Sequence, residues 1–239
     1  MRILSKSLPT ATALVLALLS ASCARLLPWR GQEPGPEINL AFTLDRNLVE
    51  MQTLRINERP GRFLLGSAAP RTVLDPGFAG RGPHALQLNE KQTIRISPST
   101  LDLGGVADGI IGADAWNNRA ITIDYRSGLV TYQKAGIVTG LMKIYEYQAE
   151  PTIYVNVNGA DVPAVVDTTS PDTLVLPSTT TGRGTARINV AGVDFGTLDL
   201  RYANVSRARV GNRLLSRFMV TIDYGKKVVG LWRDDRTPV

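Results

Sequence analysis

The apolar run Ala164-Val165-Val166 leads directly into Asp167-Thr168, a carboxylate and a hydroxyl side by side at the end of a strand-like segment. An acid held in such a place can take or give a proton, and the neighbouring hydroxyl can hold the loop by hydrogen bonds. About a hundred residues earlier, Arg62-Phe63-Leu64-Leu65 leads in the same way into Gly66-Ser67. That position keeps a hydroxyl residue but has no acid.

The two places belong to one repeated unit. Leu65-Gly66-Ser67-Ala68-Ala69-Pro70 aligns with Val166-Asp167-Thr168-Thr169-Ser170-Pro171, Pro76 with Pro177, and Asn57 with Asn158. Thr122-Ile123-Asp124-Tyr125 recurs as Thr221-Ile222-Asp223-Tyr224. Gly80-Arg81-Gly82 aligns with Gly182-Arg183-Gly184, and Thr100-Leu101-Asp102-Leu103 with Thr197-Leu198-Asp199-Leu200. Matches in one order at nearly constant spacing define a duplication. The small drift in offset is what insertions between strands produce, because loop length costs little free energy.

Other chemistries lack their parts. The single histidine, His84, and the single cysteine, Cys23, cannot build a zinc site, and no metal or other cofactor is expected. A Ser-His-Asp triad would have to use His84, which reads as solvated surface. Gly77-Phe78-Ala79-Gly80-Arg81-Gly82 does not sit between a strand and a helix as a phosphate-binding loop must. Asp75, in Val73-Leu74-Asp75-Pro76-Gly77, imitates an apolar-Asp-x-Gly loop. Equating it with Asp167 breaks the matches at Pro70 and Pro76, and the alignment sets it opposite Leu176 instead. Asp114 reads as a charge in the first turn of a short helix. Asp124 and Asp223 read as turn or surface hydrogen-bond partners, and Asp108-Gly109 as a turn.

The elements that would position Asp167 are strands. Ile38, Leu40, Phe42 and Leu44 alternate with other residues, as do Ile153, Val155 and Val157, the period of half-buried strands. Phe63-Leu64-Leu65 and Ala164-Val165-Val166 suit interior strands, each preceded by a turn, and Asn158-Gly159 is a hairpin signal. Late in each copy Ile110-Ile111-Gly112 and Arg209-Val210-Gly211 introduce short helical stretches, Ala113 to Arg119 and Asn212 to Arg217, before the repeated Thr-Ile-Asp-Tyr strands. Long amphipathic helices are absent, so the class is all-β.

Each copy resembles a retropepsin-like aspartic peptidase unit: an apolar strand, an Asp-Thr-Gly loop, a glycine-bearing flap hairpin, a hydrophobic-hydrophobic-Gly strand and a short helix. The resemblance runs from Ile38 to Trp232 and is to pepsin- and retropepsin-group proteins with two units fused in one chain. It implies a two-lobed, pseudo-twofold double-retropepsin fold, a monomer with an internal pseudo-dimer. Residues 38–136 would form the N-terminal lobe, 137–149 a linker and 150–235 the C-terminal lobe.

In such enzymes two carboxylates across the twofold share a proton, one serving as base and the other as acid. The resemblance makes Asp167 the remaining catalytic aspartate and Thr168 a brace between the two loops. Gly66 becomes the position of the lost aspartate, and Ser67 a second brace. Gly80, Arg81, Gly82, Gly182, Arg183 and Gly184 become flap residues, the two arginines at exposed hairpin tips. The family's glycine after Asp-Thr is Thr169 here and Ala68 in the first copy, so both loops depart from the active pattern. The resemblance then implies a degenerate peptidase holding an extended peptide between its lobes by strand-like hydrogen bonds. Its alternatives are an active aspartic endopeptidase using Asp167 with an unrecognised second acid, Asp75 being the first to examine, or with Asp167 of another chain, and a structural envelope protein that binds no peptide.

The first residues set an expected address. Arg2 and Lys6 precede the apolar run Ala13-Leu14-Val15-Leu16-Ala17-Leu18-Leu19, too short to span a bilayer and laid out as a secretory signal covering residues 1–22. Leu19-Ser20-Ala21-Ser22-Cys23 resembles a bacterial lipoprotein signal, so Cys23 is the expected lipidation site and residues 23–37, rich in Pro and Gly, the tether. Ala24 in place of an aspartate favours the outer membrane, facing the periplasm. Removing Arg2 and Lys6 takes the formal charge from +6 to +4. The basic residues are scattered along the chain, so no nucleic-acid partner is expected.

Overall fold

Ile38, Leu40 and Phe42 are buried while Asn39 and Thr43 face solvent, the two-residue period of a strand with one face on a core. Leu44, which continues the alternation in the sequence, is 41% exposed because it lies at the rim, two residues from the turn at Arg46-Asn47. The computed structural model describes residues 37–133 and 140–234 and is mostly β, with 53% strand and 4% helix. The segments read as signal and tether, Cys23 included, lie outside the described residues up to residue 36. Both halves lie within one compact unit.

The first half contains β1 (Ile38–Asp45), β2 (Leu48–Met51), β3 (Arg55–Ile56), β4 (Arg59–Pro60), β5 (Phe63–Leu65), β6 (Val73–Leu74), β7 (His84–Asn89), β8 (Gln92–Ile96), β9 (Ser99–Thr100), β10 (Gly109–Ile111), β11 (Ala120–Asp124) and β12 (Leu129–Gln133). The second contains β13 (Lys143–Glu146), β14 (Thr152–Val157), β15 (Ala160–Val166), β16 (Leu174–Pro177), β17 (Gly182–Val190), β18 (Val193–Ala203), β19 (Ala208–Val210), β20 (Met219–Asp223) and β21 (Val228–Trp232).

In the second half β14-β15-β19-β16-β18-β17 close into a six-stranded barrel around Val155, Ala164, Val166, Ile188 and Val210. Asn158 and Gly159 join β14 to β15 with φ of 52° and 92°, the doubly positive backbone that a two-residue hairpin turn demands. The first half repeats the connectivity with breaks. The Arg62 N–H donates to the Asp108 carboxylate and separates β4 from β5. Pro98, which has no N–H to give a ladder, falls between β8 and β9, where β18 runs unbroken. β4-β3-β7-β8 therefore stand as a separate sheet, and β2-β5-β10-β6-β9 continue an eleven-stranded one.

The halves meet where the repeat is strongest. β11 pairs antiparallel with β20 in a register centred on Thr122 opposite Thr221, whose hydroxyls are 2.9 Å apart. Ile121 and Ile123 lie opposite Ile222 and Val220. Outward from this pair the order is β12 then β1 on one side and β21 then β13 on the other. Equivalent residues facing each other across an antiparallel pair place a local twofold axis between the two threonines.

Several expectations need correction. Gly182-Arg183-Gly184 opens β17 and pairs with Tyr202, Arg201 and Leu200, so Arg183 sits at the base of the hairpin; the tip of β17–β18 is Ala191-Gly192. Gly80-Arg81-Gly82 precedes β7 in irregular backbone, and the tip of β7–β8 is Glu90-Lys91. The glycines marked turn-capable backbone, but where a hairpin turns is decided by which strands pair. The Thr100-Leu101-Asp102-Leu103 match is also not structural: Thr100 lies beside Leu74, whereas the residue beside Val175 is Arg201, not Thr197. The short helices are a 3-10 turn, Ala113–Trp116, and α1, Asn212–Leu215. Lys143–Glu146, within the stretch read as linker, form β13 at a sheet edge.

Candidate functional site

The two loops after the apolar strands are built alike. The Gly66 N–H donates to Ile111 O at 2.9 Å, and the Asp167 N–H to Val210 O at 3.0 Å. Ala69 N–H returns to Gly66 O at 3.1 Å, as Ser170 N–H returns to Asp167 O at 3.1 Å. Each loop then receives the start of the helical turn that follows its hydrophobic-Gly strand, Ala113 N–H to Ala69 O and Asn212 N–H to Ser170 O.

Ser67 and Thr168 join the loops through four reciprocal bonds. Ser67 N–H donates to Thr168 Oγ1 and Thr168 N–H to Ser67 Oγ, both at 3.0 Å. The Ser67 hydroxyl donates to Val166 O at 2.6 Å, and the Thr168 hydroxyl to Leu65 O. Both side chains are buried, 1% and 0% exposed. Each hydroxyl satisfies one amide and one carbonyl that would otherwise be stranded out of water, a cost of about 1–3 kcal/mol per group.

A second tier ties each loop to the opposite half's repeated tyrosine. Tyr224 donates its phenol to Ser67 O at 3.2 Å. Tyr125 donates to Asn212 Oδ1 at 2.8 Å, and Asn212 Nδ2 donates to Thr168 O at 2.7 Å and to Asn47 O at 2.6 Å. Burial pushes both phenols well above their ordinary range, since a phenolate there would lose its water.

Asp167 is 3% exposed, and both its oxygens are taken by its own half. Oδ1 accepts from Thr169 N at 2.9 Å and from the Thr169 hydroxyl at 2.6 Å. Oδ2 accepts from Arg209 Nη1 at 2.8 Å. Thr169 stands where the family pattern has glycine, and its hydroxyl adds the bond a glycine cannot make. Arg209 lies beside Val165 on β19, in the place that Ile110 occupies beside Leu64 on β10.

On the other side, Ile110 closes over Gly66. A Cβ placed on Gly66 would come within 2.4 Å of Ile110 Cγ2 and 3.1 Å of Ala69 Cβ. The two aligned loop positions therefore hold one ion-paired carboxylate and one glycine under a methyl group.

The remaining acids have local partners. Asp75 accepts from Gly77 N and Leu103 N, both backbone amides, and its own N–H donates to Asp108 O. The Leu103 bond first, then the Gly77 bond, hold its carboxyl below the usual range. Asp108 lies at the start of β10 and Gly66 bonds its end, so β10 separates Asp75 from the loops. Asp114 accepts from Thr72 N and its hydroxyl, both at 2.7 Å. Asp124 and Asp223 cap their own turns through Arg126 N and Ser127, and through Gly225 N and Lys226 N. His84 donates from Nε2 to Gly80 O at 2.8 Å and accepts at Nδ1 from Asn57 Nδ2 at 2.7 Å, because a carbonyl can only accept.

A cavity of about 330 Å³ lies beside the first loop, between Ala68-Ala69-Pro70 and the Tyr147–Pro151 segment. Among the described residues no group of three or more His, Cys, Asp or Glu is placed to hold a metal ion, and no helix is long and apolar enough to cross a membrane. Arg209 and Asn212 are the members of this site that sequence reasoning passed over, and Thr169 was noted there only as a replacement for glycine. One signal was present: a charged residue in Arg209-Val210-Gly211 where the first copy has apolar Ile110. No protein-family model matches the chain, and no curated protein matches it.

Proposed function

We propose that this chain is a double-retropepsin-like, pseudo-twofold protein whose aspartic-peptidase site is degenerate, and that it binds an extended peptide segment between its lobes without cleaving it. The observation that carries this reading is the state of Asp167. A general acid-base pair needs one carboxylate free to lose a proton and another to hold one. Here the lone carboxylate is engaged by Arg209 and Thr169, and the opposite position is closed by Ile110. The Ser67-Thr168 bonds support the kinship, because they tie the loops together in the way the resemblance requires. β8, β9 and β13 are edge strands among the described residues, and a sheet edge is the kind of place that takes up an extended peptide.

The reading includes an address. Cys23 carries the lipid, the folded part faces the periplasm from the outer membrane, and the protein is monomeric without a nucleic-acid partner.

The test is incubation of the full chain with a library of unstructured peptides from acid to neutral pH. Retention of peptides, with no cleavage at any pH, is the expected result. Pepstatin-sensitive cleavage that disappears in Asp167→Asn would overturn the reading and return Asp75 to consideration as the second acid.

A further inference from the structure

Beside α1 the second half opens into a cavity of about 380 Å³ whose polar lining is made by Asn47, Thr173, Arg213, Ser216 and Arg217. Among the described residues none of these five side chains has a hydrogen bond or ion pair, and none of the described residues that line the cavity is an Asp or Glu. Arg62, Arg187, Arg201, Arg207 and Arg209, by contrast, pair with acids.

The two arginines are four residues apart, Arg213 in α1 and Arg217 just beyond its end, and as like charges lining one cavity they repel. A third guanidinium lies near: Arg233 stacks over Phe195, a cavity wall, at 5.3 Å and donates to Arg217 O at 3.2 Å. Charges scattered in the sequence are thus gathered by the fold. Asp124 and Asp234 lie in the adjoining 450 Å³ cavity, which Ser216 and Arg217 also line; there Asp234 is 3.9 Å from Arg126 and Asp124 caps its own turn.

We infer that this cavity binds a small organic phosphate monoester, with the phosphate between Arg213 and Arg217 and the organic group against Phe195 and Leu214. Two guanidinium forks, two hydroxyls and an amide offer more donors than the two oxygens of a carboxylate can use, and the three terminal oxygens of a phosphate monoester match them. The phosphate also relieves the repulsion between the arginines. Phe195 and the buried Leu214 give the apolar wall, and the volume is that of a small-molecule site. The inference is separate from the peptide-binding reading: Asn47 is common to both places, but it meets the loop network through its backbone carbonyl and the cavity through its side chain.

The experiment is calorimetric titration of the full chain with phenyl phosphate, and with inorganic phosphate as the bare oxyanion. Phenyl phosphate should bind once per chain and several-fold more tightly than inorganic phosphate. Arg213→Ala and Arg217→Ala should each weaken it about tenfold, the loss of roughly one charge-assisted contact. Arg183→Ala, removing an exposed arginine from the base of the β17–β18 hairpin, should leave it unchanged. Arg213 and Arg217 are exposed and unpaired, so circular dichroism should report folded variants. Absence of binding, equal affinity for the two probes, or equal affinity in the Arg213, Arg217 and Arg183 variants would each overturn the inference.

Discussion

Gly66→Ala should destabilise the protein although it adds one methyl group and no charge. The new Cβ would lie 2.4 Å from Ile110 Cγ2, more than an ångström inside ordinary carbon contact. Relief is difficult on either side. Ile110 is β-branched, with few side-chain rotamers available, and β10 is held between β5 and β6. The Gly66 backbone is held by its bond to Ile111 O and by Ser67 next to it. Overfilling of this kind costs about 1–3 kcal/mol. For a chain of this size each kcal/mol lowers Tm by about 2–4 °C. Urea unfolding with an unchanged m-value is the assay. Ile110→Ala removes the offending methyl, so Gly66→Ala/Ile110→Ala should be about 1 kcal/mol or more stabler than the sum of the single changes. For the same reason Gly66→Asp alone should yield no peptidase activity, and any attempt to rebuild the pair must also shorten Ile110 and release Asp167 from Arg209. If Gly66→Ala is as stable as the parent, or the two changes simply add, Ile110 does not close this position.

Thr168→Ala should cost about 2–4 kcal/mol, since it strands the Ser67 N–H and the Leu65 carbonyl, while Thr168→Ser should restore most of it in the same urea assay. Arg209→Leu should cost about 1–3 kcal/mol by leaving the buried Asp167 carboxylate unpaired, and adding Asp167→Asn should recover part of that loss. The phenols set an alkaline limit. Burial holds Tyr147 up to about 12 and Tyr125 and Tyr224 higher still, so their contribution to stability is whole below the unfolded value near 10 and is lost as pH rises beyond it. Spectrophotometric titration should show part of the tyrosine ionising only as the fold is lost; complete ionisation near pH 10 in a folded chain would contradict this. Cys23→Ser should move the protein from the membrane to the soluble fraction, and unchanged membrane association would refute the anchor.

Asp167, Gly66 and the duplication could be read from the sequence because each is a local pattern: an apolar run, a polar loop, a repeated order. The Asn158-Gly159 turn was legible for the same reason, since its positive φ pair is a property of two residues and little else. What each side chain touches was not legible. Arg209 meets Asp167 only because β19 pairs with β15 in one register, and Ile110 covers Gly66 only because β10 lies beside β5 in the matching one. The hairpin tips moved from the glycine clusters to Glu90-Lys91 and Ala191-Gly192 for a similar reason: a ladder many residues long outweighs one flexible position. Arg213 and Arg217 are close in the sequence, but the approach of Asn47, Thr173 and Phe195 to them is tertiary. The sequence by itself determined strands, turns and an acid in one copy of a loop whose other copy has glycine. The tertiary structure decided that this acid is held by an arginine and that Gly66 lies under Ile110, because contacts between distant strands depend on register, which no local pattern contains.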